Sequence, residues 1–490
     1  MIELYQSLGL NQNPFSKFSA EEELEYLKDI YVTPKYFNSL FSDLKSGSSR
    51  FIIGSRGSGK TALMHQLKTN LDNSNVFVLF IDNFDGIPTK ENEKHLIYNI
   101  IQKIVTDFCI IISQNPKSIK KLNEFEKEKL SFFIEQFFKT LSRKEYEDRN
   151  DKVKKFKTKN FIKNIYNNFF NKPINFLISG GVEILSDTVS KSFNLPKVQP
   201  DEFFKNYVPT AVLNTPKKNS DISNYDYNSL KEILIDLTGI IKKVGFENVV
   251  VLFDKIDEYR ELKGSINDVC VFIESILKDT NLLMQTNFSL VFSIWDEVRN
   301  ELASNGIRFD KFKPIDVSWT SEEITQILNE RIKYFGETTK QAEKLLEDNN
   351  ELVKLIELSN NSPRDLLHLF GSIYDEQTLV DISSKFLSIQ SINKGKMKFC
   401  KEYEYYALFP SKRNSKEDVF RNINRLLKTG KTTLRATDFV TSLKVSTSTA
   451  NSYIKIITDF NFAKMTDQQY VYEISDPKLK FLIEKGINEI

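Results

Sequence analysis

Residues 50–72 read RFIIGSRGSGKTALMHQLKTNLD, and the run from Gly54 to Thr61 within them satisfies G-x-x-x-x-G-K-[ST]. This pattern suits phosphate. Glycines at Gly54, Gly57 and Gly59 let backbone N–H groups curl around phosphate oxygens without a Cβ clash, and a following helix adds its positive N-terminus. Arg56, Ser58 and Ala62 complete the wrap. Lys60 is placed to reach the β- and γ-phosphates, and the Thr61 hydroxyl to ligate Mg²⁺. A second element stands far downstream in NVVVLFDKIDE, residues 248–258. Asp254 follows an apolar run and would hold Mg²⁺ through water, while Asp257 and Glu258 lie just beyond and could polarise an attacking water.

Positioning these groups takes a sheet. Phe51 to Ile53 reads as a short buried parallel strand, and Ala62, Leu63, Leu67 and Leu71 fall at helical spacing behind the glycine-rich loop. Val249 to Phe253 is apolar and rich in β-branched residues, as a central parallel strand should be. Val76 to Asp82, Phe288 to Ile294 and Lys313 to Trp319 fit the same sheet. Strand–helix alternation of this kind predicts an α/β fold with a five-stranded parallel sheet.

Together these segments resemble the AAA+/STAND group of P-loop ATPases, in particular origin-recognition-type initiators and transposition-helper ATPases. The resemblance covers about residues 8–377, apart from an insertion. GLNQNPF and IYVTPKYFNSL resemble the N-terminal segment that packs over adenine, which makes Tyr31, Val32 and Pro34 candidate base contacts. Ser293 falls where the group has the sensor-1 residue. NNSPRDLLHL, residues 360–369, resembles the start of the sensor-2 helix and makes Arg364 the candidate cis arginine, the alternative being a surface arginine at a helix N-terminus. Arg308 is a candidate trans finger for a neighbouring subunit's nucleotide, with an ordinary surface role as the alternative and Arg299 as competitor. The resemblance implies ATP and Mg²⁺ as cofactors and an oligomer. One departure concerns catalysis: Lys255 occupies the position where the group places a glutamate, so Asp257 or Glu258 would have to act as base, and hydrolysis is expected to be slow or to need assembly.

A second departure is length. About 165 residues separate Asp82 from Asn248, where a compact fold would use one or two helices. Within them, residues 122–141 place Phe125, Leu130, Phe133, Ile134 and Phe137 on one helical face. Residues 151–164 hold six lysines against one acid, with Phe156, Phe161, Tyr166, Phe169 and Phe170 interleaved or just beyond; this is either a nucleic-acid contact or a solvated helix face. Residues 196–224 read as a long loop before a helix at 228–243. Beyond Trp319 the chain reads as helical: a helix capped at Thr320 and running to Phe335, then others near 340–358 and 362–376. The last residues resemble a winged helix, with helices near 417–428, 434–441 and 448–460 and a hairpin from Phe462–Met465 and Tyr470–Ile474. Ser446, Ser448, Thr449, Asn451, Ser452 and Lys455 would face duplex DNA. Eight basic residues (Lys412, Arg413, Lys416, Arg421, Arg425, Lys428, Lys431, Arg435) stand against Glu417 and Asp418 in residues 411–435. In STAND ATPases such a domain can also dock internally on the nucleotide site, so both readings stand.

The resulting division is a P-loop core at 1–84 and 225–319 (with 1–48 on the adenine side), an insertion at 85–224, a helical lid at 320–400 and a winged helix at 401–490. Formal net charge is only +2 over 490 residues, which excludes a chain driven onto nucleic acid or lipid by overall charge. Cys109, Cys270 and Cys400 are far apart and odd in number, and His65, His95 and His368 are scattered; neither set forms a disulfide framework or a metal clip. No signal peptide is read, and no run of 18 apolar residues occurs. A cytoplasmic protein without a membrane partner is expected. Function reads as a Mg²⁺-dependent ATP-hydrolysing switch in bacterial DNA handling or anti-phage defence, acting with a separate effector. The alternative is a DNA-binding protein that holds ATP with little or no hydrolysis.

Overall fold

Alternation of side chains along five strands decides how the molecule layers. In the computed structural model, which describes residues 3–113, 116–139, 141–142, 183–184, 189–190, 193–196, 222–336, 341–409, 412–413, 415 and 417–490, these strands form one parallel sheet. Its order is Phe77–Ile81, Val249–Phe253, Phe288–Ile294, Arg50–Ile53, Ile315–Asp316. Phe253 pairs with Phe292 and Ile53 with Ile294, so the strands that lead into Asp254, Ser293 and the glycine-rich loop end at one level. Val249, Val251, Phe253, Phe288, Leu290 and Phe292 point into one core, beneath helices Glu93–Ser113, Tyr227–Val244 and Ile266–Lys278. Ile52, Val250, Leu252 and Val291 point into another, beneath Phe37–Lys45 and the P-loop helix Lys60–Asn73. Cover on both faces explains why the central strands are unbroken apolar runs.

The fifth strand is shorter than the sequence suggests, Ile315–Asp316 rather than Lys313 to Trp319. Lys313 sits at φ 41°, Pro314 has no N–H to donate, and Trp319 leaves the sheet to bond the P-loop. In the insertion, Asn123 caps helix Glu124–Phe137 and buries Leu130, Phe133, Ile134 and Phe137. Phe125 is a correction: in the helix's first turn it is 54% exposed, beside the Lys129 ammonium. The lysine run at 151–164 with its aromatics, and nearly all of the 196–224 loop, lie outside the described residues. Among the described residues one helix, Glu93–Ile112, is long and apolar enough to cross a membrane, yet Ile97, Ile101, Ile104, Val105 and Phe108 bury it in the sheet's core.

Beyond the sheet, Thr320 and Glu323 form a capping box on helix Ser321–Phe335. Helices Glu351–Leu358, Pro363–Val380 and Ile389–Lys401 follow. The single helix expected near 340–358 is instead a short turn, Ala342–Leu345, and a separate helix, because Asp348 folds back onto the Asn350 amide. Helices Val419–Leu427, Ala436–Leu443 and Thr447–Asp459 then lead to strands Ala463–Met465 and Tyr472–Ile474. Thr433–Leu434, which sequence reading missed, adds a third antiparallel strand. One continuous apolar core joins the lid helices to these C-terminal elements and to Leu4, Leu8 and Phe15 near the start of the chain.

Lid helices Pro363–Val380 and Ile389–Lys401 approach closely at Gly395, where an added Cβ would stand 2.8 Å from the Ile373 backbone nitrogen. Gly395→Ala therefore forces these helices apart and lowers stability by about 1–3 kcal/mol. Urea denaturation of the purified chain checks this, and an unchanged midpoint refutes it.

Candidate nucleotide site

The strand ends open into a cavity of about 600 Å³ between sheet, lid and N-terminal segment. Its floor is the P-loop. Gly57 and Gly59 sit at φ 82° and 93°, backbone that a side chain rarely tolerates. At Gly54 a Cβ would stand 2.7 Å from Ser58 Oγ. The Trp319 indole donates to the Ser58 carbonyl at 2.7 Å and props the loop. Lys60 donates to the carbonyls of Gly54 and Ser55 at 2.7 and 2.9 Å. Burial pushes its ammonium pKa down, against the pull of Asp257, Asp254 and Asp296.

Register sets one edge of the cavity. Asp254 and Ser293 each lie one residue past the paired Phe253 and Phe292 and are each 2% exposed. Asp254 Oδ2 and Ser293 Oγ have no hydrogen-bond partner among the described residues. Buried polar atoms are ordinarily paired, so two orphans lining one cavity fit a bound ligand. The donor set fits Mg²⁺ bound to a nucleotide: a carboxylate at Asp254, the Thr61 hydroxyl, and a loop of amides for the phosphates. Mg²⁺ would there supply charge neutralisation between phosphate oxygens.

Arg364 enters from the lid. It occupies the first turn of helix Pro363–Val380, and a Cβ on Gly57 would lie 3.2 Å from its own Cβ. A cation at a helix N-terminus is unfavourable alone and favourable with an anion between. Asp257 and Glu258 line the cavity, but Asp257 is already engaged by Arg56 at 2.9 Å. Desolvation and the neighbouring Asp257 raise the Glu258 carboxyl pKa. Lys255, at φ 56°, pairs with Glu21 of the N-terminal segment; burial works against its charge, and Glu21 more than restores it.

Toward the N-terminal segment, Tyr31 and Val32 line the cavity, and the Tyr31 hydroxyl is another buried orphan. Pro34 is buried beside them without lining it. Phe18 stacks on His368 at 3.9 Å. The Arg331 guanidinium, 3% exposed, pairs with Glu23 and ties the N-terminal segment to the lid. Arg308 lies away from the cavity, exposed and bound to Asp310 by two hydrogen bonds of 2.9 and 2.7 Å, so a trans role requires exchanging that partner. Sequence reading missed Trp295, Trp319, the Glu23–Arg331 pair and the turn Tyr405–Leu408. The tryptophans carried a signal: the chain has two, and both line the cavity.

Two outcomes follow. Truncating one partner of a buried ion pair typically costs about 3–5 kcal/mol, so Arg331→Met should lower the denaturation midpoint strongly, while a surface-like loss below about 1 kcal/mol would contradict its burial. Asp254→Asn should remove most of the Mg²⁺ dependence of ADP binding, at least about tenfold. Calorimetry with and without Mg²⁺ reads this, and an intact dependence assigns the metal elsewhere.

Comparisons with known proteins bear on the same segment. A family model described as ORC-CDC6-like matches residues 13–72. No protein with a curated description matches. Among solved structures, Cdc6p from Pyrobaculum aerophilum aligns over 99% of both chains with 11% identity and a TM-score of 0.32. A Walker-type ATPase of Pyrococcus abyssi aligns over 97% of this chain and 98% of its own, with 10% identity and a TM-score of 0.41. Superpositions that loose carry no argument. The family match, in contrast, spans the N-terminal segment, the first strand and the glycine-rich loop with its helix. In that segment, set in its parallel sheet, the chain is similar to ORC-CDC6-like proteins.

Proposed function

We propose that this chain is a Mg²⁺-dependent ATP-binding and hydrolysing switch that serves DNA handling or anti-phage defence, assembling or engaging a separate effector. What carries the reading is the pair of buried, unpartnered groups, Asp254 and Ser293, facing a phosphate cradle across one cavity. Phosphates would lie on the P-loop amides with Lys60 and Arg364 beside them, and the base between Tyr31, Val32 and the lid. Asp257 or Glu258 would polarise water. The C-terminal elements are read as a winged helix whose exposed Ser446, Ser448, Asn451, Ser452 and Lys455, with Thr449 half-buried, face duplex DNA. The nearby basic patch is more neutralised than its composition implies. Lys412, Lys428 and Lys431 pair with Glu417, Glu489 and Asp438, while Arg413 and Arg425 lie over tyrosine rings. Lys416 falls outside the described residues.

Lys60→Ala should abolish phosphate release and weaken ATP binding at least about a hundredfold, two phosphate contacts being lost together; unchanged turnover ends the ATPase reading. The alternative, a DNA-binding protein that holds ATP with little hydrolysis, is favoured by Lys255 and its bond to Glu21. Steady-state phosphate release with and without duplex DNA separates the two, a rate near background in both conditions supporting the alternative. Lys455→Glu with Arg435→Glu should cut duplex affinity about tenfold or more and flatten its salt dependence. An unaltered salt slope would leave the docking role in place of DNA contact.

A further inference from the structure

Arg56 does something no phosphate-binding loop requires. Its guanidinium lies 3.8 Å from the centre of the Trp295 ring and donates to Asp257 Oδ2 at 2.9 Å. It also donates to the carbonyl of Ala407, which belongs to the short helix Tyr405–Leu408 between the lid and the C-terminal elements. Glu402, Tyr403, Glu404, Ala407 and Leu408 all line the nucleotide cavity, so this strap forms its outer wall.

The strap is fixed firmly at its other side. The Tyr403 hydroxyl donates to Asp365 at 2.9 Å, directly beside Arg364, and the Tyr405 hydroxyl to Asp476 at 3.2 Å. Lys478, 3% exposed, lies between both carboxylates and 4.4 Å from the Tyr403 ring centre. That cluster holds the strap to the lid helix. Arg56 instead ties it to the P-loop, with a neutral carbonyl as acceptor.

We infer that Arg56 is a latch that holds the lid and C-terminal elements against the P-loop until the third phosphate of a nucleotide takes its guanidinium. The inference rests on the ATP reading above and names a regulation of that site. Arginine binds phosphate bidentately and more strongly than it binds a carbonyl oxygen, so the Ala407 contact is the first to yield. Glu402 and Glu404 on the strap add repulsion against a third phosphate. The same exchange draws Arg56 from Asp257, freeing that carboxylate to polarise water. Strap release and competence for hydrolysis are then one event.

Hydrogen–deuterium exchange on the full chain tests this, comparing saturating Mg²⁺–ADP with the Mg²⁺ complex of a β,γ-imido ATP analogue. Calorimetry first establishes that each binds. The strap peptide spanning residues 402–409 should exchange about tenfold faster with the analogue than with ADP. In Arg56→Ala it should exchange at the faster rate with either nucleotide. Equal strap exchange in the unaltered chain, with both nucleotides bound, overturns the latch and leaves the ATP reading standing. Failure of both nucleotides to bind removes the ATP reading and the latch with it. The unaltered chain decides the matter even where Arg56→Ala loses nucleotide.

Discussion

A carboxylate oxygen buried without a hydrogen-bond partner is costly, and Asp254 Oδ2 is held that way above the sheet. Everything that defines the site follows from paying that cost in one place. The strand before it must be buried on both faces, and so it is apolar at every position from Val249 to Phe253. The neighbouring strand must match its register, so that Ser293 arrives at the same level. Lys60 must stand close enough to oppose the charge while its own burial lowers its affinity for a proton. Sheet, loop and helix are arranged to concentrate unsatisfied polarity at a single point.

Much of this was legible in the residues. Glycine spacing identified the cradle because backbone at φ near +90° has few other tolerant residues. The central strands were legible because double-sided burial erases alternation in favour of continuous apolar runs, and their bounds Val249–Phe253 and Phe288–Ile294 are those observed. Errors fell where local chemistry overrides periodicity. Pro314 and Lys313 cut short the edge strand, Asp348 interrupted a helix, and Phe125 shared a helical phase with core residues but lay one turn too early to reach the core.

Contacts between distant segments were not legible at all. Glu23 and Arg331, Glu21 and Lys255, and Arg56 and Ala407 are pairs hundreds of positions apart that no spacing rule connects. Each nevertheless closes one wall of the cavity. Lys255 could be seen as an anomaly in sequence, since it follows Asp254 at a position where an acid was expected. Only the fold shows what satisfies it: Glu21 of the N-terminal segment, which lines the same cavity. Likewise the C-terminal basic patch is a property of composition that folding largely spends on internal acids and aromatic rings.

The placement of the two tryptophans has an optical consequence. One indole props the glycine-rich loop, the other carries a guanidinium on its face, and no third dilutes them. Emission excited at the red edge of the protein's absorption band therefore originates within the cavity walls. An unlabelled solution of this chain carries a two-point gauge of this cavity, readable in a stopped-flow instrument without chemical modification.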